Sequence, residues 1–204
     1  MSADLFPTFL KLAGRRVVVV GGGPVAASKI ASLQAAQAAI TVVAPDVVDE
    51  IVESGVEIVR RGFAPGDLDG AWFVVAAAPP EVNREVAAAG EARHVFVNAV
   101  DDPAHASAYL GGVVRKHGVT LAISTDGRAP ALAGLLREGL EATLPDDIGE
   151  WMATADEART VWRREGVPMA DRRPRLLQAI NARYETGTST GSEQSALTAG
   201  GARR

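Results

Sequence analysis

Over the first hundred residues the hydrophobic positions fall in short dense blocks separated by mixed segments. Val17–Val20 is an unbroken valine run, and Ile40–Ala44, Val56–Arg60, Trp72–Ala77 and Val95–Asn98 repeat the pattern. Continuous β-branched runs of this length suit strands buried on both faces of a parallel sheet. The intervening segments predict helices: Pro24 to about Ala38, Asp46–Ser54, and Pro80–Ala92 after the Pro79-Pro80 break. Gly62–Gly70 reads as a loop with one helical turn. Strands alternating with helices at this rhythm predict an α/β doubly wound sheet of Rossmann-like type.

The rhythm changes after Asp101. Ala108–Lys116 and Val119–Ser124 flank only His117-Gly118, which predicts an antiparallel hairpin. Pro130 then opens a helix with Leu132, Leu135, Leu136 and Leu140 on one stripe, and Ile148–Glu165 and Pro174–Tyr184 also read as helices. The expected organisation is therefore a dinucleotide-binding domain over 1–110, a small α+β dimerisation region over 111–147 and a helical region over 148–185. The stripe and hairpin leave apolar surface to cover, which predicts a homodimer. Residues 1–14, with Phe6, Phe9, Leu10 and Leu12, are expected against the sheet edge. The small polar residues of 186–204 predict a disordered tail.

Composition narrows the class. The 204 residues contain no cysteine, which excludes disulfides, thiolate metal sites and a cysteine nucleophile. A net charge of −4 argues against general nucleic-acid binding, although 151–185 holds seven arginines against five acidic residues. No apolar run approaches the ~20 residues that span a bilayer, and the N-terminus lacks signal-peptide character. A cytoplasmic location is the resulting expectation.

The first strand runs into Gly21-Gly22-Gly23-Pro24, and Gly21, Gly23 and Ala26 hold the G-x-G-x-x-G/A spacing of a dinucleotide fingerprint. Gly21 permits the tight turn, Gly23 lets backbone approach a pyrophosphate, and Ala26 allows close helix–strand packing. Free N–H groups at the helix start then face the phosphates. Asp46 lies 23 positions after Gly23, near the place of the acid that holds the adenosine ribose. It could equally cap the next helix. No Arg or Lys occurs between Lys29 and Arg60 to meet a 2′-phosphate, so NAD is expected rather than NADP.

Other chemistries fit poorly. No Tyr-x-x-x-Lys pair and no Walker sequence occur, and His94, His105 and His117 lack zinc-ligand spacing. Gly187–Gly191 matches a nucleophile elbow only formally, with no strand before it. Asn98, Asp101, Asp102 and His105 cluster just past the fifth strand, where open α/β sheets bind ligands. An ordinary Asx-turn bent by Pro103 explains them equally well.

Taken together, FPTFLKLAGRRVVVVGGGPVAASKIASL, TVVAP, FVNAVDDP, LAISTDGRAPALAGLLREGLEATLP and the Arg-rich helical C-terminus resemble the precorrin-2 dehydrogenase/sirohydrochlorin ferrochelatase family over roughly residues 5–185. The resemblance implies a homodimer that oxidises precorrin-2 to sirohydrochlorin with NAD, and in some members inserts Fe2+. It implies Gly21, Gly22, Gly23, Pro24, Val25, Pro45 and Asp46 as cofactor contacts, Asp101 as the catalytic group, and Asn98, Ser124 and Thr125 at the substrate. No metal-ligand set follows from it. The chain departs from the family at Ala78-Pro79, where Thr-Asp or Thr-Asn is common. It departs again at Asp126, usually glycine, and at Ala129, often serine. The readings from other classes are a regulatory module that binds NAD without catalysis, and a generic small-molecule dehydrogenase lacking its usual catalytic pairing.

Overall fold

The computed structural model describes residues 5–187. Backbone contacts divide the chain into two units, one of 1–112 with 124–134, the other of 113–123 with 135–204.

The first unit is built on five strands, β1 (Arg16–Val20), β2 (Ala39–Val43), β3 (Glu57–Val59), β4 (Phe73–Ala76) and β5 (Phe96–Ala99). All pair in parallel in the order β3-β2-β1-β4-β5. Three helices connect them: α1 (Pro24–Ala35), α2 (Asp49–Glu53) and α3 (Pro80–Glu91). The valines of β1 show why the run is continuous. Val17 and Val19 pack with Ala26, Ile30 and Leu33 of α1 and Ile51 of α2, while Val18 and Val20 pack with Leu68 and with Val86 and Ala89 of α3. Period-two side chains thus meet a helical layer on both faces, as the unbroken apolar run predicts.

The connections reverse direction between β1 and β4, so the carboxyl ends of these two strands form a topological switch point. Crevices of this kind are where open α/β sheets bind ligands. A fourth helix, α4 (Pro130–Thr143), begins in this unit and continues into the second.

Three expectations need correction here. The first helix stops at Ala35, because Gln37 takes a left-handed φ of 56° and Ala38 N–H closes back on the Leu33 carbonyl. The second helix starts at Asp49, not Asp46, with Val48 as its N-cap residue. Phe6 and Phe9 do not lie against the sheet. They are 89% and 68% exposed, and among the described residues of that segment only Leu12 is buried.

In the second unit, β6 (Gly112–Lys116) and β7 (Val119–Ile123) pair as a two-stranded sheet. His117 and Gly118 both have positive φ, 46° and 87°, as a two-residue hairpin turn requires. Two helices follow, α5 (Ile148–Glu165), stopped by left-handed Gly166, and α6 (Met169–Gly187). The last helix starts five residues before the expected Pro174. Its first turn is closed by Asp171 N–H on the Pro168 carbonyl, and Pro174 is accommodated inside it. Trp151 Nε1 donates to Tyr184 Oη, which donates to Asp147, tying α6 to α5. Residues 188–204, most of the expected tail, and the formal nucleophile elbow beyond Gly187, lie outside the described residues.

Candidate active site

The three glycines of the β1–α1 turn serve different purposes. Gly21 has φ 119°, and a Cβ there would overlap the Ala77 carbonyl at the end of β4. A Cβ on Gly22 would overlap the carbonyl of Asp46, just past β2, and Val48 N–H donates to the Gly22 carbonyl at 2.9 Å. Both glycines are therefore demanded by the protein's own packing at the switch point. Gly23 is not. It has an ordinary φ of −85°, and a Cβ there would meet nothing within 4 Å. The space before Gly23 is an open cradle of backbone at the start of α1. That helix begins with Pro24, has no side-chain cap and carries no acidic residue in its first turn. Its first N–H groups and its dipole are thus available to an anion. The residues present fit a dinucleotide pyrophosphate.

The strand ends place Pro45, Asp46 and Asp101 at the same carboxyl edge of the sheet as this cradle. Pro45 and Asp46 are exposed beside Gly22. Asp46 does not cap α2, so its carboxylate remains open to a ligand hydroxyl. Asp101, two residues past β5, is exposed and holds a left-handed φ of 57°. A non-glycine residue in that region is uncommon, and aspartate is among the few that tolerate it. Asp102 directs its carboxylate to His105 Nδ1, 2.8 Å away, and not to a backbone N–H of the short 3₁₀ turn that follows.

Asn98 is buried, and its amide nitrogen donates to the Ala108 carbonyl at 3.0 Å. With Ser107 Oγ accepting from Val97 N–H, this seals the outer edge of β5. Ser124 and Thr125 shape the approach to α4. Ser124 Oγ accepts from Asp126 N–H, and Thr125 Oγ1 accepts from Ala129 N–H. Asp126 and Gly127 both have positive φ, 54° and 70°. That backbone explains why glycine is common at position 126 in the resembled family, and why aspartate is an acceptable replacement. This loop comes close to the loop after β5: a Cβ on Gly127 would lie 3.1 Å from Pro103 and 3.3 Å from Tyr109, and Tyr109 Oη donates to the Pro103 carbonyl at 3.1 Å. The loop after β5 and the loop before α4 thus approach each other at Pro103 and Gly127, within one unit.

Asn83 was not signalled by any motif. It is buried on α3 and its Oδ1 accepts the Ala78 N–H at 3.0 Å. It therefore fixes the Ala77-Ala78 turn against which Gly21 packs. A polar residue on the inward face of an otherwise apolar helix stripe was the one available clue. Among the described residues no group of three or more His, Asp or Glu side chains is placed to hold a metal. No described helix is long and apolar enough to cross a membrane.

Residues 8–112 match the family described as "Putative NAD(P)-binding". The chain belongs to this NAD(P)-binding family. The match covers the whole five-stranded sheet. Siroheme synthase of Photorhabdus laumondii is 36% identical over 198 residues, covering 95% of this chain and 42% of its own length. Siroheme synthase of Pseudomonas entomophila is 40% identical over 161 residues, covering 76% of this chain and 35% of its own. The chain thus spans about two fifths of the curated relatives it matches. Among solved structures, that of SirC, a precorrin-2 dehydrogenase, aligns with a TM-score of 0.64 and 27% identity, over 86% of this chain and 89% of the other.

Proposed function

We propose that the protein oxidises precorrin-2 to sirohydrochlorin with NAD as hydride acceptor, a step of siroheme synthesis. The observation that supports it most is the open backbone cradle at Gly23, with Asp46 just past β2 and Asp101 just past β5 at the carboxyl edge of the same sheet. The likeness to a precorrin-2 dehydrogenase across 86% of the chain supplies the substrate class.

The backbone at Gly22, Gly23 and Val25, with the start of α1, holds the pyrophosphate. Asp46 accepts from the ribose hydroxyls, and the absence of Arg or Lys from 30–59 disfavours a 2′-phosphate, so NAD is the expected form. When bound, the nicotinamide supplies the hydride acceptor, and the protein's task is to position the substrate carbon and to take a proton. Asp101 is the proton acceptor in this reading. Its backbone holds a left-handed φ of 57°, and its side chain is exposed to an incoming ligand. Ser124 and Thr125 offer hydroxyl groups to a substrate rich in carboxylates, next to the N-terminus of α4. Fe2+, where inserted, is a substrate of the same loops.

We also infer a homodimer. Leu132, Leu135, Leu136 and Leu140 on α4 are 39–67% exposed, and Phe6 and Phe9 add to the uncovered apolar surface. The function is tested by turnover of precorrin-2 with NAD+, and the cofactor choice by titration of NAD+ against NADP+, where NAD+ is expected to bind more tightly.

A further inference from the structure

Three neighbouring strand ends carry different chemistry along the carboxyl edge of the sheet. The order β3-β2-β1 sets the open cradle at Gly23 past β1, Pro45-Asp46 past β2 and Arg60 past β3. Strands β2 and β3 stay in parallel register as far as Val43 and Val59, and Ala44 N–H donates to the Val59 carbonyl at 3.2 Å. Arg60 is the next residue after Val59, so its backbone runs beside Ala44, two residues before Asp46. Adjacent strands lie ~4.8 Å apart, and two residues advance the chain by at most ~7 Å. A ligand group seated between Asp46 and the end of β3 is therefore within reach of a long side chain at position 60.

The other ionic groups of this strand are engaged. Arg61 donates to the Asp67 carboxylate at 2.8 Å and to the Gly62 carbonyl at 2.9 Å, and Glu57 accepts from Thr41 Oγ1 at 2.7 Å. Arg60 is exposed and has no hydrogen bond or ion pair among the described residues. The stretch 30–59 without Lys or Arg ends one residue before it, and the parallel crossover returns Arg60 to the end of β2.

We propose that Arg60 is a 2′-phosphate contact, through which the chain takes NADP as a second cofactor beside NAD. This rests on the cofactor cradle proposed above. The order pyrophosphate, ribose, 2′-phosphate along NADP follows the order Gly23, Asp46, Arg60 along the edge of the sheet. Rossmann sites divide on this chemistry: an acid on the ribose 2′-hydroxyl suits NAD, and a nearby arginine accommodates the 2′-phosphate. The planar guanidinium fork matches phosphate oxygens, and no other group competes for it here. Both devices stand on adjacent strands of this chain. Asp46 repels the phosphate, which keeps NAD the tighter ligand, and Arg60 offsets that repulsion enough for NADP to bind.

Isothermal titration of the full chain with NAD+ and with NADP+ tests this without any tetrapyrrole. The parent is expected to bind both, NAD+ more tightly. Arg60→Gln should weaken NADP+ on the order of 10-fold and change NAD+ by less than about twofold. Arg84→Gln removes the same charge from an exposed position on α3 and should leave the ratio of the two affinities as in the parent. Asp46→Ser should move the ratio toward NADP+. A parent that binds NAD+ but not NADP+ would overturn the Arg60 contact and leave the cradle standing. So would a parental ratio in Arg60→Gln, or an equal shift in Arg84→Gln. A parent that binds neither dinucleotide would overturn both.

Discussion

Gly22 and Asp46 meet backbone to backbone, so tightly that a Cβ on the glycine would overlap the aspartate's carbonyl. The contact locks the end of β2 to the β1–α1 turn. It places the Asp46 carboxylate at a fixed offset from the Gly23 cradle. Gly22→Ala is therefore expected to damage both fold and binding, whereas Gly23→Val should leave thermal stability near that of the parent and abolish NAD binding. Differential scanning calorimetry with isothermal titration separates the two. A folded Gly23→Val variant with unchanged affinity would exclude this cradle as the phosphate site.

Asn83 holds the other wall of the same crevice through the Ala78 N–H. Asn83→Ala leaves that half-buried donor without its acceptor, at a cost of about 1 kcal/mol. Denaturant unfolding should show the loss, and NAD affinity should fall with it because Gly21 packs on the freed turn.

These two residues mark what the sequence could and could not disclose. The valine runs, the glycine spacing and the Pro-initiated helices disclose the sheet and the cradle, since each is a local consequence of burial or backbone geometry. Asn83 acts through a contact five residues away that no spacing rule encodes. Asn98 and Ser107 are alike in this respect: their polar groups seal a strand edge whose position depends on the sheet order. The Asx-turn reading of 98–105 does not hold for Asp102, whose carboxylate meets the His105 ring and not a backbone N–H, while Asp101 is exposed. Pro174 misplaced the last helix because a proline at a helix start is the common case, and here it lies inside one.

Asp101 carries the proposed proton transfer. Asp101→Asn is expected to keep NAD affinity and to lower turnover by about 10²–10⁴-fold. Asp102→Asn, which acts on His105 alone, should lower it less. Equal rates in parent and Asp101→Asn would remove Asp101 from the chemistry.

The exposed leucines of α4 lead to a statement about mass. Light scattering at micromolar concentration should give about twice the 21.2 kDa of the chain. Replacing Leu135, which is 67% exposed, by Glu should shift the population toward monomer. A parent that scatters as a monomer would contradict the dimer.

The central claim is that one chain binds NAD and oxidises precorrin-2 at the carboxyl edge of its sheet. The direct measurement is an anaerobic incubation of the purified chain with precorrin-2 and NAD+, following absorbance of NADH and of the tetrapyrrole together. The account requires NADH and sirohydrochlorin to appear one for one, at a rate proportional to the amount of chain added. NAD binding with no NADH formed would contradict it, and would point to a module that senses the nucleotide without chemistry.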